Sequence, residues 1–94
     1  MGGHPRDAES WEWDDGNERE LSRHHIRVEE VYEVWQNAPR FAPNIRHRAG
    51  DWKMMGLTNG GRKLTIVLRY HAHGRVLRPI TGWDATVGEQ TRYF

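Results

Sequence analysis

From Lys63 to His71 apolar and polar positions alternate. Leu64, Ile66, Leu68 and Tyr70 fall on one side of an extended chain, and Lys63, Thr65, Val67, Arg69 and His71 fall on the other. This pattern predicts a strand. His71-Ala-His-Gly74 follows as a short connection in which Gly74 is free to take a positive φ. Arg75 to Gly82 then returns as the partner strand of a hairpin. Pro79 lies inside that return and has no N–H to give to a ladder, so the strand is expected at a sheet edge or with a bulge. Asn59-Gly60-Gly61 is a strong turn signal, and it joins this hairpin to a preceding strand over Trp52 to Thr58. The apolar residues of that preceding strand do not alternate cleanly, which predicts burial on both faces.

The first half of the chain has a different period. Val28, Val31, Tyr32 and Trp35 recur at helical spacing, with Val34 widening the stripe and Glu29, Glu30 and Glu33 facing out. The stripe reads as core packing, and Asn37, Pro39 and Pro43 end the helix. Before it, Trp11-Glu-Trp13 reads as a short strand, with Asp14 or Asp15 as the N-cap of a short polar helix reaching about His24. Leu21 is its main apolar contact, so this helix must lean on its neighbours. A further short strand is expected between prolines in 41–47, with 47–51 as a loop. Thr86-Val-Gly-Glu89 has the form of a capping box opening a last helix that carries Gln90, Arg92, Tyr93 and Phe94.

The predicted order is β-α-α-β-β-β-β-α. It defines an α+β fold: a small antiparallel sheet with the N-terminal helices packed on one face and a short C-terminal helix. Residues 1–10 are expected as a disordered lead-in and 11–94 as a single domain. The 94 residues allow one modest core, to which five Trp, three Tyr and two Phe bring much area. No run approaches the roughly 20 apolar residues of a membrane span, and the first ten residues lack the apolar core of a signal peptide. The expected location is therefore cytoplasmic. There is no cysteine, which excludes disulfides, thiolate metal sites and a cysteine nucleophile.

Charge is unevenly placed. Residues 1–36 hold four Lys/Arg against ten Asp/Glu, while 37–94 hold ten against three, and together they give the net +1. Such a split implies either an internal match between the halves or a basic surface meant for a partner. In a domain this small the internal match is the expected one. All but two of the fourteen basic residues are arginine, whose fork suits phosphate and carboxylate.

Most catalytic chemistries fail on inspection. His71 and His73 share a strand face, but no third ligand stands at convincing spacing, so no metal and no other cofactor is expected. Ser10 and Ser22 are the only serines and neither lies in a nucleophile turn. Asn59-Gly60-Gly61-Arg62 lacks Walker spacing and a following helix. The basic hairpin remains. Metal-free RNA cleavage needs a base for the 2′-hydroxyl, cations for the phosphorane and an acid for the leaving oxygen. Arg62, Arg69, His71, Arg78 and Tyr93 supply those types if they converge on one sheet face. In the alternative reading these arginines cover a sheet edge or pair with the acidic first helices, and spacing alone favours that.

Trp11-Glu-Trp-Asp14, Asn17, Arg23-His24 and Glu29-Glu30-Val31 resemble the opening of BrnT-type toxins, which commonly read (F/W)EWD…N…(K/R)HG(V/I)…EE. The resemblance continues through His47-Arg-Ala-Gly-Asp-Trp52, Gly56-Leu-Thr58, Gly61 to Val67, Arg78-Pro-Ile-Thr81 and Ala85-Thr86 to Tyr93, and so spans about residues 11–94. Three positions depart from the pattern. His25 stands where the family has glycine, Leu57 where it often has arginine, and Trp83 where an I-S-A-R run ends in arginine.

The resemblance implies a RelE-like fold and a metal-independent endoribonuclease toxin of a type II toxin–antitoxin pair, which inhibits translation by cutting RNA. Its partners would be RNA and a cognate antitoxin, with operator DNA reached only through the antitoxin, and no membrane. In that reading Arg62 and Arg78 hold the scissile phosphate. His71 transfers a proton, Tyr93 acts as acid or stacking group, and His24 is a helix cap or an acid/base group. Lys63, Arg69, Arg75 and Arg92 bind RNA. The alternative is a catalytically degraded RelE-like module that only binds protein or nucleic acid. A small DNA-binding protein is a third reading, disfavoured by the absence of a marked recognition helix.

Overall fold

A computed structural model describes residues 3–45 and 51–94. The end of the strand expected in 41–47, and the 46–50 part of the resemblance, lie outside the described residues. The elements run β1 (Ser10–Trp11), α1 (Asp15–Arg23), α2 (Val28–Gln36), β2 (Arg40–Pro43), β3 (Trp52–Leu57), β4 (Lys63–His71), β5 (Val76–Asp84) and α3 (Val87–Tyr93). This is the order expected from the periodicity, and the α+β class holds.

The five strands form one sheet in the order β1-β5-β4-β3-β2. It is mixed rather than wholly antiparallel, because β1 runs parallel to β5 through Ser10 opposite Val76 and Trp11 opposite Leu77. A two-residue strand carries too little pattern to announce its direction. The lead-in also differs from expectation. Pro5–Asp7 forms a 3-10 turn with Pro5 buried, and the His4 ring lies 5.2 Å from that of Phe41 and 4.8 Å from that of Trp52.

One sheet face is sealed by apolar packing. Leu64, Ile66, Leu68 and Tyr70 of β4 meet Leu21, Val31 and Val34 from the helices, Ile26 from the connection between them and Met54 from β3. Gly82 makes the close fit possible, since a Cβ there would stand 2.8 Å from Ile66 Cδ1 and 2.9 Å from the Thr65 carbonyl oxygen. The other face is buried too. Met55, Thr65 and Val67 are almost fully covered, which explains the broken alternation of β3, and α3 is the element that lies there.

Pro79 meets the second of the two expected conditions. β5 lies inside the sheet, between β1 and β4, with β1 pairing it only at Val76–Leu77 among the described residues, and the β4–β5 register shifts at Pro79, from Val67 opposite Thr81 to Leu68 opposite Pro79. Its carbonyl accepts from the side chain of buried Asn17, which ties β5 to α1 at 2.9 Å.

Candidate functional site: the α3 cleft and the paired arginines

Arg62 sits at the entrance to β4, and its guanidinium is fully engaged. Nε donates to Asp84 at 2.7 Å, Nη1 donates to the His25 carbonyl at 2.7 Å and reaches Glu30 at 3.3 Å, and Nη2 donates to the His24 carbonyl and to Asp84. The reason lies in how α1 ends. The Ile26 N–H bonds to Leu21 O and the His25 N–H to Ser22 O, with His25 at φ 58. That is a Schellman ending with Leu21 against Ile26, and it leaves carbonyls that need donors. Arg62 supplies them and places a cation at the negative end of the helix. The Asp84 hydrogen bond holds the Arg62 pKa above its usual value, and the same contact depresses Asp84.

Arg78 is also spoken for. It makes a forked contact with Asp14, 2.9 and 3.3 Å, and stands 3.9 Å from Glu12. Asp14 is the α1 N-cap, where its side chain accepts from the Asn17 N–H in a capping box. The Arg78 hydrogen bond is the main cause that lowers the Asp14 pKa. Arg75 pairs with Glu9 at 2.9 Å. Three of the cations in the basic half therefore meet acids of the first half, and the internal match of charges is what the fold uses.

The expected site residues are not brought together. Leu64 faces Asp84 while Arg69 faces Arg78, so Arg62, just before the first rung of the β4–β5 ladder, and Arg78 stand toward opposite ends of it. The Leu64 and Arg69 rungs alone are five residues apart, roughly 16 Å. His71 is exposed at the far end of β4, beside His73 and Trp13. His24 is the C-cap of α1, with Nε2 3.3 Å from Glu20. Arg69 is exposed beyond the region that α3 covers.

Three expected residues do gather, around α3. Arg92 and Tyr93 line a cleft of about 780 Å³ between α3 and the β2–β3 side of the sheet. Lys63 meets α3 outside the cleft lining, with Nζ 3.3 Å from the Gln90 side chain and 5.8 Å from the Phe94 ring centroid. The residue at its centre is Glu89, which sequence reasoning took only for the closing half of a capping box. That box forms: Thr86 accepts from the Glu89 N–H, and the Glu89 carboxylate accepts from the Thr86 N–H. The same carboxylate accepts from the Thr65 hydroxyl at 2.9 Å and the Trp83 indole N–H at 3.0 Å, and Lys53 Nζ lies 3.7 Å away. Burial would raise the Glu89 pKa, but these donors outweigh it and hold the group below its ordinary value. Lys53 is the cleft cation that the sequence did not single out. As one lysine in a strand with disturbed alternation it carried no signal, and only the register opposite Val67 turns it toward Glu89.

Trp83, which stands where the BrnT-type pattern ends in arginine, is a structural donor to Glu89. Among the described residues no three His, Asp or Glu side chains are grouped to hold a metal, and no helix is long and apolar enough to cross a membrane. A scan against protein-family models finds no match, and a search of curated proteins finds none either.

Proposed function

We propose that this protein is a RelE-like, metal-independent endoribonuclease toxin of a type II pair, acting in the cytoplasm and neutralised by a cognate antitoxin, and that its RNA site is the α3 cleft. The observation that carries the reading is the meeting of Lys53, Arg92, Tyr93 and Glu89 in one open cleft on the sheet face that α1 and α2 leave uncovered. The BrnT-type resemblance agrees with it, since sheet and C-terminal helix are where RelE-like toxins keep their cleavage residues.

In this reading Lys53 and Arg92 neutralise the phosphodiester as negative charge builds on it. The Tyr93 hydroxyl donates to the leaving 5′-oxygen. Attack by the 2′-hydroxyl gives a 2′,3′-cyclic phosphate and a free 5′-hydroxyl. Glu89 orients Lys53 and is, among the described residues, the one carboxylate lining the cleft to take the 2′-proton, while Arg62 and Arg78 hold the scaffold.

A second reading, a catalytically degraded module that binds without cutting, is favoured by one observation: three donors, from Thr65, Trp83 and Thr86, already converge on Glu89 Oε1, which weakens the carboxylate as a base. Purified protein incubated with RNA, followed by end-group analysis, decides between the two. The toxin reading predicts cyclic-phosphate ends. It also predicts a loss of about a hundredfold or more in cleavage rate for Tyr93→Phe, with RNA affinity retained. Bound but intact RNA at high protein concentration would establish the second reading instead.

A further inference from the structure

The edge strand β2 and the end of α2 enclose a second opening, of about 610 Å³, lined by Arg6, Trp35, Ala38, Pro39, Arg40 and Phe41. We propose that this groove docks an acidic, extended segment of a protein partner, which adds to the free edge of β2. The inference does not depend on the α3 cleft or on any chemistry performed there.

The backbone provides the first argument. Among the described residues β2 pairs only with β3, and the Asn44 N–H donates to the Asp51 carbonyl. In that register Arg40 and Ala42 turn their backbone groups toward β3, so the N–H and C=O of Phe41 point outward from the sheet. Pro43, the other outward position, has no N–H to expose. One residue, Phe41, thus presents a complete donor–acceptor pair for an incoming strand, next to a pocket for its side chains.

Charge sets the chemistry of the occupant. Arg62, Arg75 and Arg78 each hold carboxylates, but Arg6 and Arg40 have no acid partner among the described residues. The Arg6 guanidinium lies over the Phe41 ring, 5.9 Å from its centroid. Two unmatched guanidiniums beside Trp35 and Phe41 suit a segment that alternates carboxylates with apolar side chains, the period of a strand.

The groove is also held in shape before anything binds. Ala38 takes a left-handed φ of 51 at the α2–β2 connection, and the Asn37 side chain fixes that turn by donating to the Leu57 carbonyl at 2.8 Å and to Asn59 at 3.0 Å. Strained backbone of this kind persists where the surrounding structure enforces it. Nucleic acid offers anions but nothing that pairs with a strand edge, so the free Phe41 backbone favours polypeptide.

The full chain is titrated with a synthetic peptide of alternating glutamate and valine, with a matched lysine–valine peptide, and with single-stranded RNA. The readouts are Trp fluorescence, the Phe41 amide shift and its hydrogen exchange. The glutamate peptide is expected to bind, to protect the Phe41 amide and to weaken as salt rises. Arg40→Glu is expected to weaken it about tenfold or more while leaving the melting temperature unchanged, since Arg40 is exposed and holds no ion pair. Arg6→Ala is expected to weaken it less. Equal binding of both peptides, no binding of the glutamate peptide, indifference to Arg40→Glu, or RNA rather than peptide protecting Phe41 would each overturn the proposal.

Discussion

The two faces of the sheet are both buried, yet they are closed by different physics. On one face α1 and α2 contribute Leu21, Val31 and Val34 to an apolar core, and Arg62 and Arg78 stitch the edges to Glu30 and Asp14 of the first half. On the other, α3 contributes no buried residue of its own. It is held by Glu89, which gathers Thr65, Trp83 and Lys53, and by Lys63 with Gln90 and Phe94. The contrast sorts the cations of this chain. Arg62 and Arg78, with two or more carboxylate or carbonyl contacts, belong to the scaffold, whereas Lys53, with one shared carboxylate, and Arg6, Arg40 and Arg92, with no acid partner among the described residues, line the openings. Holding the fold and lining the openings thus fall to different members of what looks, in the sequence, like one uniform basic set.

Removing Arg62 is the most forceful way to test that sorting. Arg62→Ala strips two helix-end carbonyls and two carboxylates, one of them the mostly buried Glu30, of a common donor. The expected loss is about 2–4 kcal/mol of stability, which in a chain of this size lowers the melting temperature by roughly 10 °C or more. Arg62→Lys restores only part of it, because a single ammonium cannot reproduce the fork. Thermal or denaturant unfolding measures this. A variant that melts like the parent would show that the contacts are idle and return Arg62 to the candidates for phosphate contact. The same reasoning warns that lost RNA cleavage in Arg62→Ala reads as lost folding unless stability is measured beside it.

What the sequence disclosed follows the same division. Periodicity is a local property, so the strand over Lys63–His71, the α2 stripe and the α3 capping box were all legible. Partner choice is not local. Nothing near Arg62 in the chain announces Asp84, His24 or Glu30, which only the fold brings within 3.5 Å. The uneven charge of the two halves was the one global signal, and it pointed to internal pairing. Glu89 was half legible: its spacing from Thr86 disclosed the cap, but its partners on β4 and β5 lie in other elements, and their approach depends on a helix with no apolar stripe to place it. The short parallel β1 was illegible for the opposite reason, since two residues hold no period at all.

Acid separates the faces more gently. Asp84 and Glu89 are both held below their ordinary pKa, Asp84 chiefly by Arg62, and Glu89 by the Thr86, Thr65 and Trp83 donors against the opposing effect of burial. A carboxylate depressed in the folded state gives stability that is complete above its unfolded value and is lost as pH falls through its folded value. The expected outcome is a flat stability profile at neutral pH and a decline beginning near the unfolded values, 3.8 for Asp84 and 4.5 for Glu89. Glu89→Gln removes one of the two contributions. If α3 is held as described, the variant loses the α3 amide protection first, with the α1–α2 core still intact. Hydrogen exchange measured against pH resolves the two faces, and simultaneous loss of protection in both would show that they unfold as one unit.

The smallest expected effect is a gain, and it sharpens the scaffold side of the contrast. His25 occupies the left-handed position that ends α1, at φ 58, where a side chain crowds the following carbonyl and glycine does not. Among the described residues the histidine ring finds no hydrogen-bond partner, although its positive charge when protonated helps depress Asp84. His25→Gly relieves the strain and leaves the Schellman bonds and the Arg62 contact with the His25 carbonyl in place, since both use backbone atoms. Glycine also gives the unfolded chain more freedom, which offsets part of the relief. The expected result is a stabilisation of about 0.5–1 kcal/mol, visible as a rise of a few degrees in melting temperature. A loss of stability would mean that the ring, rather than the backbone, supports this end of α1, and the role assigned to Arg62 as the main donor there would have to shrink accordingly.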